Sequence, residues 1–203
     1  MNILIRSTRN RIDFVKEYYT YFLKNYDIIL DNGEYKKELS FVHALKSCTD
    51  NTLIIEDDQL FCDNFLDIAE NIIKAHHNYI ICLSQMDFNN GRQYKKSGYY
   101  KPYYNSISTF CTYYPKDMID KIIAYYDYGF NTRGEYYDET LADILKILNI
   151  PAYYVVPSLS GHIKEFKSEM NHKLFTYSYG FPYKKAYERL HEITGKYVED
   201  YIK

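Results

Sequence analysis

The chain has 203 residues, enough for one domain with a real core, and its 46% hydrophobic and 26% charged residues are ordinary for a folded globular protein. A formal net charge of −2 argues against a general nucleic-acid coat or a membrane-surface protein, though not against a local basic patch. The 26 Tyr against 0 Trp accompany many Ile, Lys and Asn, all with AT-rich codons, so genome composition accounts for them before function does. Cys48, Cys62, Cys82 and Cys111 form no C-x-x-C pair, and all but Cys48 sit in or beside apolar or aromatic runs. Buried free thiols in a reducing compartment are expected. The apolar start is too short for a signal peptide, and no run approaches the length of a membrane span, so a cytoplasmic protein is expected.

Residues 3–5 are a short apolar run, followed by the polar stretch 6–11. Ile12, Val15, Tyr19, Phe22, Leu23 and Tyr26 recur at three- and four-residue steps, which predicts an amphipathic helix. A second strand over 27–30 stops at the turn signal Asp31-Asn32-Gly33. A short helix over 38–48 and a buried strand over 52–55 follow, and Glu56-Asp57-Asp58 stand directly after that strand. The step Phe61, Phe65, Ile68, Ala69, Ile72 predicts the next helix, and 79–83 the next strand. Periodicity disappears between 84 and 105, the span of a functional or mobile loop. A strand over 107–114, a helix opened by Pro115, a loop over 129–137, a helix over 138–148 and a strand over 152–156 complete the alternation. Pro157-Ser158-Leu159-Ser160-Gly161-His162 follows, and Tyr183, Ala186, Leu190 and Ile193 mark a last amphipathic helix.

Alternating strands and helices imply an α/β fold, a mainly parallel sheet with helices on both faces. Ligands of such sheets collect at the carboxyl ends of the strands, where Arg6, Ser7, Thr8, Arg9, Asp31, the acidic triplet and 158–162 all stand. Three consecutive carboxylates repel one another unless a cation sits among them, and a hard divalent ion takes oxygen ligands and bridges phosphates. Side chains two apart leave a strand on one face, so Glu56 and Asp58 are expected together, with Asp57 turned elsewhere. The competing readings are an exposed acidic turn and an acidic cap on the helix that follows, over 62–75. Residues 92–104 carry Arg92, Lys95, Lys96 and Lys101, no acid, and five Tyr. Such a loop suits stacking on sugars or bases and contact with phosphates, or is simply solvated. With neither a G-x-G-x-x-G nor a Walker motif, nicotinamide enzymes and P-loop ATPases are disfavoured.

In its order of elements the chain resembles the GT-A glycosyltransferases, especially the bacterial lipooligosaccharide-type enzymes. The shared order is apolar strand, Glu-Asp-Asp, amphipathic helix; a strand–Pro–helix unit; an acidic pair opening a helix; and a strand ending in Pro-Ser-Leu and a His. The resemblance covers most of 1–165 and implies a single GT-A-like (Rossmann-like) domain, with 166–203 a C-terminal helical extension. It implies a transferase moving a sugar from a nucleotide-diphosphate donor with Mn2+ or Mg2+. Asp58 would be the metal ligand, with Glu56 or Asp57 at the nucleotide or metal and His162 completing the shell. Arg6, Ser7, Thr8, Arg9 and Asp31 would line the donor. Asp138 or Glu139 would deprotonate the acceptor hydroxyl, although Asp at that place also serves as a helix N-cap. Lys95, Lys96, Tyr99, Tyr100 and Lys101 would lie on the acceptor side, facing a surface polysaccharide or a hydroxymethylated base in DNA. The alternatives are a metal-dependent phosphoryl-transfer enzyme or nuclease, and a non-catalytic nucleic-acid-binding protein built on the basic Tyr loop.

Overall fold

The computed structural model describes residues 1–31, 37–84, 98–100, 107–128, 137–163 and 183–195. Nine strands are β1 (Asn2–Thr8), β2 (Asp27–Asp31), β3 (Thr52–Glu56), β4 (Gln59–Phe61), β5 (Ile80–Cys82), β6 (Gly98–Tyr100), β7 (Cys111–Tyr114), β8 (Ala152–Val156) and β9 (Ser160–His162), counted among the described residues. The helices are α1 (Ile12–Phe22), α2 (Lys37–Ser47), α3 (Phe65–Ala75), α4 (Lys116–Asp127), α5 (Tyr137–Ile147) and α6 (Lys184–Thr194). Seven strands form one sheet in the order β2-β1-β3-β7-β5-β8-β6, and β4 pairs with β9 in a separate ribbon. β1, β2, β3, β5 and β8 run in one direction, while β7 in the middle and β6 at the edge run against them. The α/β class and the mainly parallel sheet are as expected.

The pleat sorts the core into two layers. Ile3, Ile5, Leu53 and Ile55 face α1, α3 and α6, where Tyr18, Phe61, Phe65 and Leu190 pack against them. Leu4, Ile54, Ile80 and Tyr154 face the other way, onto α2, α4 and α5 through Phe41, Ile119, Ile122 and Leu141. Continuous apolar runs such as Leu53-Ile54-Ile55 are what a strand covered on both faces requires. The C-terminal helix α6 belongs to the first layer: Ala186 and Leu190 are buried, and the Arg189 guanidinium donates to the Glu17 carbonyl of α1 at 3.2 Å. All four cysteines are buried and unpaired, and burial pushes the thiols of Cys62 and Cys82 up to about 12. Among the described residues no helix is long and apolar enough to cross a membrane.

The structure corrects the expected elements in several places. Phe61 fits the helical step of α3 but lies in β4, since residues 59–61 pair with 160–162 and the Cys62 amide donates to the Leu159 carbonyl at 2.9 Å. Asn64, left-handed at φ 60°, then starts α3 abruptly. The 84–105 segment contains β6, which pairs with β8 at the sheet edge and has no apolar alternation to announce it. Only Cys111–Tyr114 of the 107–114 run is strand, although Ile107 and Ser108 are fully buried.

Candidate functional site

The parallel strands and the start of β7 bring one edge of the sheet together around the acidic triplet. Glu56 ends β3 opposite Arg6 of β1 in the parallel register. Arg6 Nη1 donates to Glu56 Oε1 at 3.1 Å, and Thr109 Oγ1 reaches the same oxygen at 3.4 Å. The Arg6 guanidinium lies 5.4 Å from the centre of the Phe41 ring, so this pair sits on the α2 side of the sheet.

Asp57 turns to the α1 side. Its Oδ2 accepts from Ser7 Oγ at 2.9 Å and from the Thr8 amide at 3.2 Å, and its Oδ1 from Arg11 Nη1 at 2.7 Å. Burial pushes the Asp57 carboxyl above the usual carboxylate range, while Arg11 and the Ser7 hydroxyl work against that shift. Ser7 and Thr8, expected against the donor, thus also brace an acid of the chain itself.

Asp58 is buried, with Oδ1 accepting from Gln59 Nε2 at 2.9 Å and Oδ2 3.8 Å from Arg11 Nη1. The expected pairing of Glu56 with Asp58 on one face gives way to a grouping of Asp58 with Asp57 around Arg11. The reason is local: strand alternation ends at Glu56, and Asp57-Asp58 form a turn before β4. That turn also removes the acidic-cap reading, because β4 separates the triplet from α3.

The turn is held from below by Tyr19 of α1, which is fully buried. The Tyr19 hydroxyl donates to the Glu56 carbonyl at 2.7 Å and accepts from the Gln59 amide at 3.0 Å. It thereby bridges the two backbone groups that a tight turn would pair directly. Burial raises the Tyr19 hydroxyl well above its ordinary value, so it keeps its proton. Gln59 is fully buried as well, and its Oε1 accepts from Ser160 Oγ of β9 at 3.2 Å, tying Asp58 to the second ribbon strand. Tyr19, Gln59 and Arg11 were not legible as site residues: Tyr19 has the spacing of a core position, Gln59 adjoins the triplet, and Arg11 hides in the polar stretch after β1.

His162 stands directly across from Gln59 in the β4–β9 ladder, and the next amide, Ile163, donates to the Asp58 carbonyl at 2.6 Å. Two residues 104 positions apart, both expected at a metal, are therefore backbone neighbours. Among the described residues, no three His, Cys, Asp or Glu side chains converge as a metal-holding group. Repulsion within the triplet, moreover, does not require a foreign cation, because Arg6 and Arg11 supply two positive charges against its three negative ones. The buried Asp58 carboxylate is the kind of oxygen donor that a hard divalent ion takes, and the ladder brings the His162 backbone next to it.

Asp31 ends β2 beside Thr8 in register and is half-buried, and Arg9 is exposed in a 3-10 turn. Asp138 (half-buried) and Glu139 (exposed) occupy the first turn of α5, a helix of the α2 and α4 layer, the same side of the sheet as Arg6 and Glu56. Tyr99 and Tyr100 are strand residues of β6, aligned with Val155 and Tyr154 of β8. Arg92, Lys95, Lys96 and Lys101 lie outside the described residues.

No family model matches the chain, and no curated protein matches it. A197 from STIV, known from its crystal structure, is similar with a TM-score of 0.50 and 14% sequence identity, over 89% of this chain and 96% of that one. At that identity the likeness is one of fold alone.

Proposed function

We propose that the protein is a glycosyltransferase that moves a sugar from a nucleotide-diphosphate donor to an acceptor hydroxyl with the help of Mn2+ or Mg2+. The observation that carries this reading is the acidic turn at the carboxyl edge of the sheet, with Asp58 set beside His162 by the β4–β9 ladder. Asp58 and His162 would hold the ion, which when bound neutralises the charge of the leaving diphosphate. Thr8 and Asp31, at the ends of β1 and β2, and Arg9 in the turn after β1 would meet the nucleoside. The Arg6–Glu56 pair keeps Glu56 oriented at the floor of the site. Asp138 or Glu139, in the first turn of α5, takes the proton of the acceptor hydroxyl. The acceptor is a surface polysaccharide or a hydroxymethylated DNA base, gripped by Tyr99, Tyr100 and the basic residues around them.

The test is thermal stability with a panel of nucleoside diphosphates, with Mn2+ or with chelator. A ligand at about 100 times its Kd adds about 2.7 kcal/mol of apparent stability. Stabilisation that needs the metal, and that Asp58→Asn abolishes, is expected. Equal stabilisation in chelator refutes the metal bridge, and no stabilisation by any nucleotide refutes the donor site.

A further inference from the structure

We propose that Arg11 is a built-in cation that occupies the place of the divalent ion in the donor-free protein, so that the ion enters with the donor diphosphate rather than residing in the site. The proposal rests on the metal-assisted reading above and concerns how that site is regulated.

One nitrogen, Arg11 Nη1, serves two carboxylates unequally. It hydrogen-bonds Asp57 Oδ1 at 2.7 Å and stands 3.8 Å from Asp58 Oδ2, an ion pair without a hydrogen bond. Asp57 is also fixed by Ser7 and the Thr8 amide, so its geometry does not depend on Asp58. The contact with Asp58 is thus the weaker and more separable arm. The Arg11 side chain keeps 21% of its surface exposed, against 8% and 11% for the two acids, so it lies on the solvent side of the pair. Arg11 is the last residue of the 3-10 turn after β1 and precedes α1 directly, which fixes its backbone near the end of β1.

A guanidinium this close to Asp58 opposes a divalent ion in two ways. It satisfies part of the charge that would attract the ion, and it repels the ion directly. A phosphate-bearing ligand reverses both effects, because its negative charge gives the guanidinium a second partner and arrives with the ion already bridged. Weak binding of the free ion and strong binding of the ion with diphosphate follow from one side chain.

The experiment counts free Mn2+ by electron paramagnetic resonance during titration of wild type, Arg11→Gln, Arg11→Lys and Asp58→Asn, without nucleotide and again with pyrophosphate. Without nucleotide, Arg11→Gln is expected to bind Mn2+ about 10- to 100-fold more tightly than wild type, with Arg11→Lys near wild type. Damage to the fold cannot produce a gain in affinity. If Arg11→Gln fails to fold because Asp57 is left uncompensated, Arg11→Gln with Asp57→Asn removes the ion pair as a unit and must show the same gain. Equal or weaker Mn2+ binding by the folded Arg11 variants, with wild type binding and Asp58→Asn not, overturns the proposal and leaves the metal site standing. So does Mn2+ that stays on wild-type protein through gel filtration. Absence of Mn2+ binding in wild type and every Arg11 variant, pyrophosphate present or not, overturns the metal-assisted reading itself.

Discussion

Tyr19→Phe removes one oxygen and tests how the acidic turn is built. The hydroxyl bridges the Glu56 carbonyl and the Gln59 amide, at 2.7 and 3.0 Å, under a turn that is buried. Two outcomes are open to the variant. If the turn keeps its shape, a buried carbonyl and a buried amide lose their partner, at about 1–3 kcal/mol each. A total of about 2–6 kcal/mol lowers the melting temperature by roughly 4–24 °C for a chain of this size. If instead the turn tightens until carbonyl and amide bond directly, stability recovers but Asp58 moves, and metal-dependent nucleotide binding falls. Phenylalanine fits the space either way, so overpacking is not at issue.

The neighbouring residue supplies the control. Tyr18 is also fully buried, stacked with Phe14 at 5.2 Å between ring centres, but its hydroxyl makes no hydrogen bond of full geometry among the described residues and has only a loose contact with the Phe61 backbone. Tyr18→Phe therefore loses only that loose contact and removes a desolvated polar atom, so its stability should stay within about 1 kcal/mol of wild type or rise. Denaturant unfolding of both variants, with nucleotide affinity measured at a temperature where both are fully folded, separates the cases. If Tyr19→Phe matches Tyr18→Phe in stability and keeps wild-type nucleotide affinity, the hydroxyl does not hold the turn and the argument fails.

Asp138→Asn is expected to lower sugar transfer by about 10²–10⁴-fold while leaving metal-dependent nucleotide binding near wild type; original rates in both Asp138→Asn and Glu139→Gln would remove the general base from α5. Replacing Lys95, Lys96 and Lys101 by Ala should weaken binding to a phosphate-bearing acceptor and flatten its salt dependence, with donor binding spared. Tyr99→Ala with Tyr100→Ala should weaken acceptor binding at high salt too, since stacking is not screened; a neutral oligosaccharide acceptor responds to the Tyr changes alone. Phe61→Ala should cost about 3–5 kcal/mol, because Phe61 is fully buried with Phe65 4.3 Å away between ring centres, and denaturant unfolding reads it directly.

The strands and helices that carry period or unbroken apolar runs were legible in the sequence. Leu53-Ile54-Ile55 is apolar because both sheet faces are covered, and α4 begins where Pro115 requires. The three-residue strands β4, β6 and β9 were not, since too few residues carry an alternation and long-range pairing creates them. Phe61 shows how this misleads: its helical spacing to Phe65 is real, but both rings enter one aromatic cluster from different elements. Of the site, the acidic triplet and His162 could be found by residue type. The groups that orient them lie 37 residues away in sequence for Tyr19 and 101 for Ser160, and only the folded register joins them.

Charge repulsion within the triplet does not by itself call for a metal. The three adjacent carboxylates do not share one environment: Glu56 goes to the α2 side and Asp57 to the α1 side, each to an arginine delivered by β1 or the turn after it. Parallel pairing of β1 with β3 makes this automatic, because Arg6 is the register partner of Glu56 and Ser7 follows it to Asp57. Adjacent acids at a strand end therefore do not imply a foreign ion by their charge alone. What separates a ligand from a brace is the use of its oxygens. Asp57 has both oxygens hydrogen-bonded to the β1–α1 junction, so withdrawing it would unfasten that junction. The side chain of Asp58, by contrast, accepts from the amide of the adjacent Gln59 at 2.9 Å and has the Arg11 guanidinium 3.8 Å away. On the proposed metal-assisted reading Asp58 is therefore the acid offered to the ion and Asp57 its brace, because a substitution of Asp57 removes three hydrogen bonds to β1 and the turn after it.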